Sequence, residues 1–310
     1  MANETPWSAP SIEQPHDRRV AVILSLLIAL ALLQPAEETY SLRAVVADSK
    51  GVAVRDLQMA DVSLTDRGAS LPLLRFEKDE RPARVALLID SSQPMGSAYR
   101  LQFMDAAKSF IDSLPSNTRV SVWTTGDRPT KVIDDLDLGG DAPAGDVSSR
   151  LGRVPPTGGN TILDAVVEAA EDLKKQEGER KIVVFISGEG PGFSNDSRQS
   201  IVDRVLKTGV EVAGVLVSEG GEAASGGDVT SVDYNYVFDQ LTEKTAGRLE
   251  RPLSSMGVGV ALRRVAADLG STYRFAFHSS GNRRFSLAFQ VARPAVKIRL
   301  STPQKETSPP

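Results

Sequence analysis

The sequence predicts an α/β fold: a doubly wound, mostly parallel sheet with an accessory β module formed from the N- and C-terminal flanks. Three observations predict it. Residues 85–89, 181–186 and 210–217 are apolar along most of their length, as strands buried on both faces are. Between them lie stretches with apolar residues at helical spacing, such as Leu101, Met104, Ala107, Phe110, Ile111 and Leu114. At both ends the rhythm changes to short alternating segments, each too small to bury a core of its own.

In chain order, residues 40–48 alternate apolar and polar side chains and end in the turn Asp48-Ser49-Lys50-Gly51. Residues 61–66 and 71–76 are two further strands joined by Asp66-Arg67-Gly68, so 40–78 forms an N-terminal β module. The charged link Lys78-Asp79-Glu80-Arg81-Pro82 leads into a central domain, residues 83–270. There the strand 85–89 precedes a helix over 99–114, closed by Pro115. Residues 119–125 and 131–136 form an antiparallel pair around Gly126-Asp127-Arg128-Pro129. After a Gly-rich loop at 139–145, a helix follows Asn160-Thr161, with Ile162, Ala165, Val166, Ala169 and Leu173 on one face. Strand 181–186, helix 197–207 and strand 210–217 continue the alternation. Residues 218–231, rich in Gly, Ser and Glu, read as a loop, and two shorter helices follow near 236–245 and 258–269. Strands over 273–278, 284–292 and 296–301 make a C-terminal β region, 271–301. It should pack on the N-terminal β module, because domain termini tend to lie close together. The polar, Pro-rich tail 302–310 is expected to be disordered.

Composition narrows the function. The 310 residues carry a formal net charge of −4, which argues against nonspecific nucleic-acid binding with its need for a basic footprint. The lack of cysteine excludes thiolate nucleophiles, cysteine-ligated zinc and iron–sulfur clusters. There is no Gly-x-Ser-x-Gly elbow, and Gly188-Glu189-Gly190-Pro191-Gly192 lacks the Lys-Ser or Lys-Thr of a phosphate loop. Ahead of the β module, Arg18-Arg19 precede the uncharged apolar residues 20–33, and Gln34-Pro35-Ala36 end the pattern. Residues 1–36 therefore read as a signal peptide or an N-terminal membrane anchor. Either places the remainder outside the cytoplasm, whether periplasmic, secreted or held at the cytoplasmic membrane.

Asp90-Ser91-Ser92-Gln93-Pro94 ends a buried strand, where open α/β sheets place their ligands, and its oxygen donors suit magnesium. Together with Gly158-Gly159-Asn160-Thr161-Ile162-Leu163-Asp164-Ala165 and residues 182–189, it resembles the order and spacing of a von Willebrand factor type A (vWA) domain. The flanks resemble the acidobacterial-type vWA family of predicted exported proteins. They include Val45-Val46-Ala47-Asp48-Ser49-Lys50-Gly51, Leu241-Thr242-Glu243-Lys244-Thr245-Ala246-Gly247-Arg248 and Arg293-Pro294-Ala295-Val296-Lys297-Ile298-Arg299. The resemblance implies a metal-ion-dependent adhesion site: Asp-x-Ser-x-Ser on one loop, a Thr on a second and an Asp on a third. Such a site holds a divalent cation that takes an acidic group from a protein partner. Here Asp90 and Ser92 match, Pro94 replaces the second Ser, Asn160 stands at the Thr position and Gly188 at the Asp position. The motif is degenerate. The metal-ligand set reduces to Asp90, Ser92 and Asn160, too few for tight magnesium. Asp90 and Ser92 also fit a structural role as caps of loop amides, and Asn160 could ligate or cap the helix that follows.

The expected function is a non-catalytic protein–protein interaction or adhesion module outside the cytoplasm, requiring no cofactor. Its protein partner would meet the top of the sheet at Ser91, Ser92, Gln93, Asn160, Thr161 and Glu189. The alternative is a divalent-cation-dependent adhesin that uses Mg2+ at an altered site. An enzyme is disfavoured by the lack of a recognised catalytic set.

Overall fold

The computed structural model describes residues 37–140, 145–176, 179–189, 194, 196–218, 229–280 and 284–306. The segment read as a signal or anchor, and most of the loop expected at 218–231, lie outside these residues. Among the described residues, no helix is long and apolar enough to cross a membrane.

Four strands come first: β1 (Glu37–Ala47), β2 (Val62–Asp66), β3 (Ala69–Leu71) and β4 (Leu73–Lys78). Residues 71–76, expected as one strand, divide at Pro72, which has no N–H to give to a ladder. As a result β3 pairs with β2, while β4 joins a different sheet.

The central domain starts at β5 (Ala83–Ile89). Gly96–Ala98, the π-helical turn Tyr99–Phe103 and Met104–Asp112 run on as one helix, α1. Then come β6 (Thr118–Thr125), β7 (Pro129–Asp137), α2 (Gly145–Gly152), α3 (Ile162–Lys174) and β8 (Arg180–Gly188). The domain closes with α4 (Arg198–Leu206), β9 (Glu211–Val217), α5 (Val229–Lys244), β10 (Leu249–Glu250) and α6 (Val258–Leu269). The sheet order is β10-β9-β8-β5-β6-β7, parallel throughout except for the antiparallel β6–β7 pair. This is the doubly wound sheet that the apolar runs predict. Alternate residues of β5 feed two cores. Val85, Leu87 and Ile89 pack with Phe103, Phe110, Leu262 and Val265 on one face. Ala86 and Leu88 pack with Val166, Phe185, Phe238 and Leu241 on the other. Helix α2 and strand β10 are additions to the expected elements, and α5 begins inside the stretch read as loop.

The chain ends in β11 (Thr272–Ser280), β12 (Leu287–Val291), β13 (Lys297–Leu300) and β14 (Gln304–Lys305). The flanks do build one module. β1 pairs antiparallel with β11 from Glu37↔Ser280 to Val45↔Thr272, and with β13; β11 pairs with β4, and β12 with β2. Their inner faces share a core of Tyr40, Leu42, Leu64, Phe275, Phe277 and Phe289. One expectation fails here. The tail read as disordered from residue 302 is ordered as far as Glu306, because β14 satisfies backbone groups of β1 at Tyr40 and Ser41. Ion pairs Lys305–Glu38 and Arg75–Glu306 hold it there.

The module joins the bottom of the central sheet through buried charge. Arg180, at the start of β8, donates from Nε and Nη2 to the two oxygens of Glu211 at 2.7 and 2.6 Å, and from Nη2 to Thr272 Oγ1 at 2.6 Å. Burial alone would raise the Glu211 pKa; Arg180 and Arg43 outweigh it and hold the carboxyl below the usual range.

Candidate functional site at the top of the sheet

At the carboxyl ends of β5 and β8, the loops after Ile89 and Ile186 meet the loop after Pro156 that leads into α3. Asp90 follows the last residue of β5, and its N–H donates to Ile186 O at 2.9 Å, extending the ladder by one rung. The carboxylate is fully buried. Oδ1 accepts from Ser92 N at 2.9 Å; Oδ2 accepts from Gly188 N at 3.0 Å and Asn160 Nδ2 at 2.6 Å, with Ser187 Oγ at 3.3 Å. Burial pushes the Asp90 pKa up, while hydrogen bonds from Ser92, Gly188 and Ser187 act against that rise.

Asn160 is oriented from both ends. Its Oδ1 accepts from Thr125 Oγ1 at 3.2 Å and from Ile162 N at 3.0 Å, so it takes the first N–H of α3 from the residue ahead of the N-cap, Thr161. Its Nδ2 donates to Asp90 and, at 2.8 Å, to Ser187 Oγ. Turning the amide over would set N–H against two donors and oxygen against a carboxylate. Thr161 Oγ1 donates to Gly126 O at 3.3 Å, and Tyr234 reaches from α5 to Asn160 O at 3.3 Å. Gly158, at φ +65°, lets the second loop turn so that its carbonyl accepts from Gln93 N at 3.0 Å.

Three of the residues in this network escape the sequence reading. Ser187, Thr125 and Tyr234 each sit near an element end with no motif to mark them. The polar Ser187 at the close of an apolar strand is the one available signal. Met95 is the fourth. A side chain at Gly188 would begin 2.3 Å from Met95 Sδ, so the buried Met95 occupies the space a third-loop acid would need.

Residues 85–191 match the von Willebrand factor type A domain family. The chain carries a vWA domain. One solved structure agrees on the fold. A von Willebrand factor type A protein from Catenulispora acidiphila is 10% identical, with 87% of this chain and 75% of that one covered and a TM-score of 0.51. The vWF domain of the type V pili tip protein Mfa5 from Porphyromonas gingivalis is 9% identical, covering 60% of this chain and 94% of its own, at a TM-score of 0.46. Proximal thread matrix protein 1 from the mussel byssus is 14% identical at 0.47; the match spans 64% of this chain and 50% of the mussel chain. At 10% identity the likeness to the Catenulispora protein is one of fold. No curated protein matches the sequence.

The residues of this vWA domain do not fit a magnesium site. Magnesium needs near-octahedral oxygen ligands at about 2.0–2.1 Å. Asp90 already accepts from protein donors at both oxygens. Asn160 turns N–H toward it, with its own oxygen committed to Thr125 and Ile162. Pro94 and Gly188 offer no side-chain oxygen. Among the described residues, no cluster of three or more His, Cys, Asp or Glu side chains could hold a metal ion. Asp90, Ser92 and Asn160 are brought together, but as a hydrogen-bonded lock and not as a ligand set. The structure places the expected partner-contact residues at different depths. Ser91, Ser92, Asn160 and Thr161 are buried, because they brace the loops from beneath; only Gln93 is exposed, with Glu189 half-buried.

Proposed function

We propose that this chain is a non-catalytic protein-interaction module that works outside the cytoplasm and binds a protein partner at the top of its vWA sheet without a metal ion. One observation carries the metal-free reading: Asp90 spends both oxygens on protein donors, one of them the Asn160 amide. The interaction reading rests on the frequent use of vWA domains as adhesion or interaction modules. Export rests on the apolar segment 20–33 behind Arg18-Arg19, acting as a signal peptide or an anchor.

The contact surface would come from groups that a partner can reach. Gln93 and Pro94 are exposed at the tip of the first loop. Beyond β10, Leu253 and Met256 are 84% and 83% exposed, on a segment whose Ser255–Gly257 turn packs against the π-turn carrying Leu101, itself 68% exposed. Large apolar side chains grouped at a surface mark interaction sites. The buried Ser91, Ser92, Asn160 and Thr161 would then fix loop geometry in advance of binding.

Capture from an envelope fraction, with the full chain as bait, tests the proposal. Retention of the partner should be equal with and without chelator. It should fall by at least about tenfold when Leu253→Asp and Met256→Asp are combined, the loss expected for hot-spot side chains. Retention that requires a divalent ion would instead support the cation-dependent adhesin. Undiminished retention by the double variant would place the surface elsewhere.

A further inference from the structure

The β module and the bottom of the central sheet enclose a cleft of about 400 Å3, lined by Arg43, Arg81, Arg180, Lys181 and Arg274, with Glu179 as the acidic member. Arg43 and Arg274 stand directly opposite one another on β1 and β11. Like charges in that position weaken a ladder unless something counters them. Each has a carboxylate beside it: Glu211 lies 3.5 Å from Arg43, and Glu77 lies 2.6 Å from Arg274. The Nε atoms of both are buried and make no hydrogen bond, although that of Arg43 faces Glu211 Oε1 at the 3.5 Å just given. Glu211 is shared, since Arg180 takes both of its oxygens, and Asp79 is held by Arg81. The guanidiniums of Arg43 and Arg180, and of the half-exposed Arg81 at the edge, meet two carboxylates here, of Asp79 and Glu211. The crowding is felt at Arg43, whose pKa is lowered by burial and further by Arg180 and Arg81, despite Glu211.

We propose that this cleft binds an anion of the phosphate class between Arg43 and Arg274, with Arg81 and Lys181 at its walls. A tetrahedral dianion would add negative charge to a cleft whose lining carries four guanidiniums and one ammonium against the carboxylate of Glu179. Guanidinium forks match phosphate oxygens in geometry as well as in charge. The cleft has room for a phosphate monoester as well as the free ion, and the recognising chemistry is the same for both. Because Arg43 and Arg274 belong to the β module and Lys181 to the central sheet, occupancy would join the two.

Calorimetry and thermal denaturation of the full chain test this, using inorganic phosphate and phenyl phosphate in turn, with ionic strength held constant by chloride. Saturable binding is expected, with a Tm that rises as the folded state is occupied. Affinity should weaken by about 10- to 100-fold in Arg274→Gln, the effect of losing a charged hydrogen-bond donor. Lys181→Gln should weaken it less, through lost charge alone. Tighter binding of phenyl phosphate would assign the cleft to an ester, and tighter binding of inorganic phosphate to the free ion. Equal binding would assign it to the phosphate group itself. Absence of saturable binding of either probe to the wild type overturns the proposal, as does unchanged affinity in both folded variants.

Discussion

At the scale of the residue, Asp90 acts as an acceptor that organises three loops. Asp90→Ala would strand the N–H groups of Ser92 and Gly188 and one amide N–H of Asn160 in a buried place. Unpaired buried donors cost about 1–3 kcal/mol each before relaxation, so a loss of about 3 kcal/mol is expected in urea denaturation. A loss below about 0.5 kcal/mol, the ordinary scatter of surface substitutions, would show that the network does not hold the loops. Part of this was legible in the sequence. Asp90 and Ser92 read as caps of loop amides from their order alone; Asp90 does so, accepting from Ser92 N and Gly188 N, whereas Ser92 supplies one of the capped amides. Asn160 was ambiguous because an amide carries a donor and an acceptor. Its direction is decided by Thr125, Ser187 and Ile162, two of which are distant in sequence. The filling of the Gly188 position by Met95 depends on a contact between loops, which no local pattern encodes.

At the scale of the element, β9 lies against β8 only because Gly214 has no side chain. A Cβ there would stand 2.5 Å from Phe185, both at its carbonyl and at its ring. Phe185 cannot yield, since its ring stacks on Phe238 at 3.9 Å. Gly214→Ala should therefore destabilise by about 1–3 kcal/mol, the usual cost of overpacking, measured as a lowered denaturation midpoint with an unchanged slope. A neutral result would mean that the sheet can shift to absorb a methyl group. The types of the long elements follow from periodicity, because burial on both faces of β5, β8 and β9 needs apolar runs. Short elements escaped that logic. Helix α2 has only Val147 and Leu151 as buried anchors, and β10 has two residues. The division of β3 from β4 was announced by Pro72, a signal the alternation of its neighbours obscured.

At the scale of the whole molecule, the β module and the vWA domain are joined by buried ion pairs with a defined pH signature. Glu211 and Asp79 both have lowered pKa values: burial opposes ionisation, and the neighbouring arginines outweigh it. In acid the unfolded chain thus binds more protons than the folded one, so stability rises with pH there. Their contribution is complete above the ordinary carboxylate pKa and is lost as pH falls through the lowered values. Glu211→Gln should flatten this acid limb. It should also cost about 3–5 kcal/mol near neutrality, by leaving Arg180 buried without its counter-charge. An acid limb unchanged from wild type would mean that the junction is not where the pH dependence arises. The pairing of the two flanks was foreseeable because neither could bury a core alone. The ion cluster between module and sheet was not, because Arg43, Arg180 and Glu211 lie on three separate strands.

A hydrogen-bonded lock at Asp90, Ser92 and Asn160 leaves a divalent cation no ligand set. Calorimetric titration of the folded chain with Mg2+ and Mn2+ tests this most directly. No saturable heat is expected at millimolar ion, and no change in Tm on adding chelator. Micromolar binding that disappears in Asp90→Ala would contradict this.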